Sequence, residues 1–514
     1  MELTLKPVNE TYVKVLCDDA LAYELQDKYS SFAKNYQHDW RFKKKRWDGK
    51  IRAFSAAARL LPKGLIRTTL EWAEKRGHVV FDETAYERPA LTDEQIQKFI
   101  SAVTLGEDIE ERDYQINCFR KSIEDDRWLF LAATSSGKSY SIYLTTAWHV
   151  ARRRKVLIIV PRTGLVRQMA KEFDFYSDGK MTVSQIMSGA DKTNLDWVTV
   201  STWQSLAKMP KGYFEQFDVV FGDEVHMFEA KSLVYIMNAC INARYRYGFT
   251  GTLNGAKTNE TSLIGMFGPI CKIISAKELI DRGYAAPVRI KILNLEYSAE
   301  DRDALKAQES AKYREFTGAM QPGESFPAVE FGRWKLENEK EFLMNHEGRN
   351  AFLQNLVAAF KKNSFVLFDR VEHGKKLVEL FEEVAGARRV NFVYAKVDVD
   401  DREEIRDTTE NAVNDITVAS YQTFGTGTNI KNLHHLVYAM ASKGRVKTLQ
   451  AIGRVLRLMA TDPSKVATVY DIADNLSVKS RENYAMIHLQ ERIGFYDEEG
   501  YDYEIINIRL SDFS

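Results

Sequence analysis

A disulfide framework and a structural zinc site are both missing from this chain: its four cysteines, Cys17, Cys118, Cys240 and Cys271, stand far apart, with no CxxC pair and no histidine at ligand spacing. Their scarcity suits a reducing compartment. Net charge is also lacking, since 72 Lys and Arg balance 72 Asp and Glu. This excludes a wholly basic coat for nucleic acid but leaves room for local patches. No run reaches the roughly 18 apolar residues of a membrane span. Met1 to Asn9 has no charged-then-apolar signal layout. The expectation is a soluble, cytoplasmic protein that makes no membrane contact. There is no low-complexity tract and no repeat beyond a possible duplication of one lobe.

What is present is enough core for several domains. At 514 residues, 45% apolar and 28% charged, the chain exceeds what one hydrophobic core organises and reads as roughly two to four domains. From about residue 127, short β-rich runs end in small or polar residues and give way to helical patterns, the rhythm of parallel α/β units. Candidate strands are Trp128–Ala132, Lys155–Val160, Trp197–Ser201 and Phe217–Phe221, then Ser364–Phe368, Arg389–Tyr394, Ile416–Ser420, His435–Met440 and Ala467–Ile472. Apolar runs this continuous are buried on both faces. The expected fold is therefore α/β: two tandem doubly wound parallel-sheet lobes behind a small N-terminal α/β domain. The expected domains are 1–90; 91–285, opening with a helical connector near Thr92–Val103; 286–475; and a C-terminal extension, 476–514, read as a helical cap. The chain passes between lobes near Asp281–Ile290, and 297–345 reads as a charged, partly helical elaboration of the second lobe.

The first candidate strand runs into Ala133-Thr134-Ser135-Ser136-Gly137-Lys138-Ser139 and then a helical pattern. That context suits a phosphate loop. Backbone N–H groups at a helix start cradle phosphate oxygens, Lys138 neutralises the β- and γ-phosphates, and the Ser139 hydroxyl holds Mg²⁺. Ala132 stands where such loops usually place their first glycine. Downstream, an apolar strand ends in Asp223-Glu224-Val225-His226. Asp223 is placed to hold Mg²⁺ and Glu224 to polarise the water that attacks the γ-phosphate. ATP and Mg²⁺ are the expected cofactors.

Asp223-Glu224-Val225-His226 resembles the DExH box of superfamily 2 helicases, and other segments resemble that family's motifs in its order, over roughly residues 112 to 475. The resemblance implies RecA-like lobes. It gives Gln115, in Arg112-Asp113-Tyr114-Gln115, the adenine edge. It gives Arg162 and Thr163, with Thr202, Trp203 and Gln204, contact with the tracking strand. Thr250 and Thr252, with His226 and Gln450, would link nucleotide state to lobe movement. Ser364–Phe368 resembles motif IV, and Ser420–Asn429 motif V, which adds Gly427 and Asn429 to the nucleotide site. Gln450–Arg457 resembles motif VI, and arginines three apart share one helical face, so Arg454 and Arg457 are expected to reach the transferring phosphoryl together.

The most polarised stretch is Arg41–Arg52, with seven basic residues (Arg41, Lys43, Lys44, Lys45, Arg46, Lys50, Arg52) and one acidic, beside Trp40, Phe42 and Trp47. It reads either as a phosphate-neutralising patch with stacking aromatics or as a solvated hairpin edge over a local core. Trp47–Arg52 and Arg59–Leu65, with Gly265–Gly268 and Asn432–Val437, resemble the phage UvsW helicases. That resemblance implies an ATP-driven helicase on branched or forked DNA, Holliday junctions or R-loops; a monomer is expected, in the host cytoplasm if phage-encoded. Residues 297–345 are longer than that family's equivalent. A double-strand translocase that does not unwind, an RNA helicase and an ATP-gated scaffold with vestigial hydrolysis are the other readings.

Overall fold

The computed structural model describes residues 1–33, 36–85, 90–187, 195–228, 231–253, 255, 257–320, 326–394, 397, 399–424, 430–440, 442–459, 461–478 and 481–513. The chain divides into two compact units, Met1–Ser275 and Ala276–Ser514.

The first unit opens with β1 (Glu2–Pro7), β2 (Tyr12–Leu16), β3 (Ser30–Phe32), β4 (Lys50–Arg52), β5 (Leu60–Pro62) and β6 (Val79–Asp82). Strands order as β5-β2-β1-β6, while β3 and β4 form a separate antiparallel hairpin. Alternation does the folding work: Leu3, Leu5, Val13 and Val15 point inward onto Leu21 and Leu25 of the helix Asp19–Lys28. Asp18 starts that helix by accepting the Leu21 N–H at 2.8 Å.

This small domain is keyed onto the lobe that follows. Arg246 is fully buried and donates to the carbonyls of Ala243, Met237 and Cys240 and, at 2.8 Å, to Thr11 Oγ1. Burial, reinforced by nearby Arg127, pulls its pKa down to about 9. Gly64 lies so close to the carbonyl of Ile264 that any Cβ there would overlap it.

The lobe itself contains β7 (Arg127–Ala132), β8 (Val156–Val160), β9 (Val183–Ile186), β10 (Val198–Thr202), β11 (Val219–Asp223), β12 (Tyr245–Thr250) and β13 (Ile270–Ile274). They form one all-parallel sheet, β13-β7-β12-β11-β8-β10-β9. Strand β8 shows why it is doubly wound. Val156, Ile158 and Val160 enter one core with Phe130, Tyr143 and Phe173, whereas Leu157 and Ile159 enter a second core with Leu233, Ile236 and Phe267. The connector helix Asp93–Val103 begins at a capping box on Thr92 and Gln95.

The second unit contains β14 (Val288–Glu296), β15 (Ser364–Phe368), β16 (Val390–Val393), β17 (Ile416–Ser420), β18 (His435–Tyr438), β19 (Ala467–Asn475) and β20 (Tyr503–Arg509). They too form an all-parallel sheet, β16-β17-β15-β18-β19-β14-β20. Two features differ from expectation. Val288–Glu296, whose first residues fall in the segment read as the passage between lobes, is a nine-residue strand that starts directly after Pro287. Beyond Asp474 the chain forms the helix Tyr484–Glu499 and then adds β20 to the sheet edge, so this segment is more than a helical cap. The elaboration is two helices, Ala299–Gly318 and Ala328–Asn345. Their far ends carry an aromatic cluster in which Phe331 lies 5.6 Å from Tyr313, 5.8 Å from Phe316 and 6.1 Å from Trp334. Pro322 and Gly323, read as marking a loop there, lie outside the described residues.

Candidate ATP and nucleic-acid site

Apart from Gln115, on the helix Asp113–Glu124, and the basic stretch Arg41–Arg52, the candidate groups of the first unit lie at the carboxyl ends of parallel strands, the edge where open α/β sheets bind ligands. The strand order divides that edge. β7, β12 and β11 stand side by side and present Thr134–Ser139, Thr250–Thr252 and Asp223–His226. β8 and β10 stand next to them and present Arg162, Thr163 and Thr202–Gln204.

The phosphate-loop segment turns through left-handed residues at Ser135 (φ 70°) and Gly137 (φ 73°), and Gly137 caps the helix Lys138–Val150. Ala132 stays in β7 with no positive φ, so the missing first glycine puts no strain there. The buried Ser136 hydroxyl has no hydrogen-bond partner among the described residues. Tyr114 OH donates to Ser136 O at 2.9 Å, and Gln115 Nε2 to the same carbonyl at 3.1 Å and to Gly137 O at 3.4 Å. Gln115 Oε1 accepts the Arg112 N–H at 3.1 Å. The amide read as the adenine reader is therefore engaged with the loop backbone here. A side chain at Gly137 would collide with it.

Lys138 Nζ lies 3.5 Å from Ala132 O and 3.8 Å from Glu224 Oε1. Glu224 occupies a left-handed conformation (φ 51°), unusual for a residue with a Cβ and of the kind retained at functional sites. Its other oxygen is 3.3 Å from His226 Nδ1, which is itself 2.9 Å from Thr250 Oγ1; that hydroxyl donates to Thr252 O at 3.0 Å. A continuous polar line thus runs from the carboxylate to the β12 loop, as sequence order alone could not show. Ser139 Oγ lies 3.2 Å from Tyr176 OH, a neighbour 37 residues on that no motif announced.

Asp223 is buried, and burial together with the adjacent Glu224 charge pushes its pKa up to about 7 against the opposing pull of Lys138. A carboxyl raised from 3.8 holds a proton in the fold that the unfolded chain has released, so stability falls as pH rises from about 4 to 7. Asp223→Asn should therefore melt higher than wild type at pH 8, by about 2–4 °C per kcal/mol recovered, with the gap narrowing toward pH 5. Equal melting at pH 8 would contradict this.

On the candidate nucleic-acid half, Thr202 Oγ1 accepts the Ser205 N–H at 3.4 Å and caps the short helix Trp203–Leu206. Gln204 Nε2 donates to Pro161 O at 3.4 Å, tying the β10 loop to the β8 loop. Thr163 and Gln204 are exposed, and Arg162 and Trp203 half-buried.

The basic stretch is less uniform than its composition. Arg41 pairs with Asp39 at 2.8 Å, Lys50 with Asp27 at 3.3 Å, and Arg52 with Asp48, whose carboxyl is held down at about 2. Trp47 is structural in character: its Nε1 donates to Lys50 O at 2.9 Å, with the Arg41 guanidinium 4.8 Å from its ring centre. Lys43, Lys44, Lys45 and Arg46 are exposed and make no ion pair with the described residues. Beside them Trp40 is 57% exposed.

In the second unit, Ser420 Oγ and Thr423 Oγ1 lie 2.8 Å apart at the end of β17. Gly427 and Asn429 lie outside the described residues. Gln450 and Arg454 lie on the helix Arg445–Val455, with the Arg454 guanidinium 5.8 Å from the Phe424 ring centre. Arg457 corrects the expectation of one shared helical face. The helix ends at Val455 and the Leu456 carbonyl is taken by Ala286 N at 2.7 Å, so Arg457 lies beyond the helix.

Two doubly wound parallel sheets, the first carrying a phosphate loop beside a strand-end Asp–Glu pair, define the motor core of a nucleoside triphosphatase. Residues 3–82 match the family model for the UvsW DNA helicase N-terminal region, and 108–255 that for the res subunit of type III restriction enzymes. The ATP-dependent DNA helicase uvsW of Enterobacteria phage T4 is 30% identical over 97% of this chain and 98% of its own length. The crystal structure of T4 UvsW superposes with a TM-score of 0.50 at 28% identity, covering 99% of this chain and all of that one. The DNA 3'-5' translocase XPB2 of Sulfurisphaera tokodaii is 22% identical over 80% of this chain and 89% of its own. The chain belongs to the UvsW helicase family. It is an ATP-hydrolysing helicase with nucleic acid as its substrate, and among the described residues no helix is long and apolar enough to cross a membrane.

Proposed function

We propose that the protein remodels branched DNA, such as forks, four-way junctions and R-loops, acting as a single copy that carries both lobes. The observation behind this reading is the juxtaposition on one sheet edge of a hydrolytic half (Lys138, Asp223, Glu224) and a strand-facing half (Arg162, Thr163, Thr202–Gln204). The N-terminal family match supports DNA as the polymer.

In this mechanism Lys138 binds the β- and γ-phosphates and Glu224 takes the proton of the attacking water. Ser139 and Asp223 would hold Mg²⁺, and the fit is chemical: both offer hard oxygen donors, a carboxylate at the end of β11 and a hydroxyl in the first turn of the helix Lys138–Val150. When bound, Mg²⁺ supplies charge neutralisation on the phosphate oxygens. Arg454 and Arg457 stabilise the transferring phosphoryl from the second lobe. The lobes close on ATP and separate after its loss, so strand-bound loops step along DNA. His226 and Thr250 relay nucleotide state from Glu224 toward the strand-facing loops, Thr252 and Gln450 completing the link.

ATP-dependent strand separation, compared across forks, four-way junctions, RNA–DNA hybrids and blunt linear duplex, tests the substrate. Faster unwinding of forks and junctions is expected; equal rates on linear duplex would remove branch selectivity. A second reading, translocation along duplex without unwinding, draws on the restriction-subunit match at 108–255. It predicts triplex displacement without fork unwinding.

The patch at Lys43–Arg46 makes a separate prediction. Replacing Lys43, Lys44, Lys45 and Arg46 with Gln should weaken fork binding and flatten its salt dependence by about one logarithmic unit of slope for each phosphate that is no longer neutralised. An unchanged slope would leave these side chains as a solvated edge.

A further inference from the structure

Lys465 has no place in any motif, yet its side chain is only 2% exposed. Its ammonium donates to two backbone carbonyls, that of Arg457 at 2.8 Å and that of Lys431 at 2.7 Å. The Lys431 peptide is held from its other side as well, because Glu410 accepts the Lys431 N–H at 2.6 Å and the Asn432 N–H at 3.3 Å. Lys431 follows Asn429 by two positions, and Arg457 has already left its helix. One buried cation therefore fixes the backbone of the second candidate arginine against the exit of the segment resembling motif V. A lysine hidden from solvent is costly unless it is hydrogen-bonded, and these two carbonyls are what holds this one.

We propose that Lys465 is a positioning residue for ATP hydrolysis, holding Arg457 in register with the chain that follows residues 420–429. The proposal rests on the reading that Arg457 serves the phosphoryl group. Burial, the largest influence, lowers the Lys465 pKa to about 8; Glu410 and Asp462 oppose this and Arg457 reinforces it. Asp462 in turn lies 3.4 Å from His434. Between about 8 and 10.5 the fold sheds a proton that the unfolded chain keeps, so stability linked to this group rises with pH while its hold on the two carbonyls weakens. Activity and stability should thus move in opposite directions over the same range.

The test uses the full chain with single-stranded DNA at saturation, comparing Lys465→Met, Lys465→Arg and Arg457→Ala by steady-state ATPase and thermal melting. Lys465→Met should lower kcat by on the order of tenfold to a hundredfold, with KM for ATP within about twofold. Lys465→Arg should recover most of the rate and, since a guanidinium stays charged, shift the alkaline fall of kcat upward in pH. A folded Lys465→Met with wild-type kcat overturns the proposal. If that variant does not fold, superimposable wild-type and Lys465→Arg pH profiles overturn it instead. Should Arg457→Ala retain full kcat, the reading of Arg457 fails, and the role of Lys465 with it. Impaired Arg457→Ala beside unimpaired Lys465→Met removes Lys465 alone.

Discussion

Glu224→Gln is expected to lower ATP turnover by about 10²–10⁴-fold while nucleotide still binds. The amide keeps the shape and one acceptor oxygen for Lys138 but can no longer take a proton from water. The conformation of Glu224 makes the expectation specific, because a left-handed backbone aims this side chain at the phosphate-loop lysine 3.8 Å away. Nucleotide binding followed by fluorescence, beside phosphate release, separates the two effects. Normal hydrolysis in Glu224→Gln would remove the site assignment, and so would normal hydrolysis in Lys138→Ala.

Arg454→Ala is expected to lower kcat by about 10³–10⁵-fold with a modest change in nucleotide affinity, since its charge matters most when the phosphoryl group is in transit. Arg454→Lys should not restore the rate, because a point charge cannot reproduce a planar, bidentate fork. Single-turnover hydrolysis at saturating ATP measures this directly. A variant within a few-fold of wild type would leave Arg454 as a helix-end residue packed near Phe424 and nothing more.

The core strands were legible because they are continuous apolar runs buried on both faces: Val156–Val160 and Ser364–Phe368 need no periodicity argument. Strands carrying charge were not. Val288–Glu296 contains Arg289 and Lys291, and Tyr503–Arg509 is a half-exposed edge strand, so both read as connection or tail. The strand–turn–helix that carries Thr134–Ser139 and the strand-end position of Asp223-Glu224 were readable because both are local in sequence. What sequence missed is non-local. The engagement of Gln115 with Ser136 O, the Ser139–Tyr176 contact and the line through His226 to Thr250 join residues that only the fold brings together. The shared helical face of Arg454 and Arg457 failed for a different reason: spacing by three presumes a helix that continues, and this one ends at Val455. The basic stretch was overcounted, because Arg41, Lys50 and Arg52 have carboxylate partners close by in the fold.

In the proposed mechanism, closure of two lobes on one triphosphate is the step from which directional movement follows. Energy transfer between one dye on each lobe, followed in Glu224→Gln with DNA present, reports it most directly. Adding ATP should raise transfer to a stable plateau in Glu224→Gln and leave the Arg454→Ala, Glu224→Gln double variant near its nucleotide-free value. Transfer that ignores ATP in the single variant, at nucleotide concentrations where binding is independently seen, would contradict the mechanism.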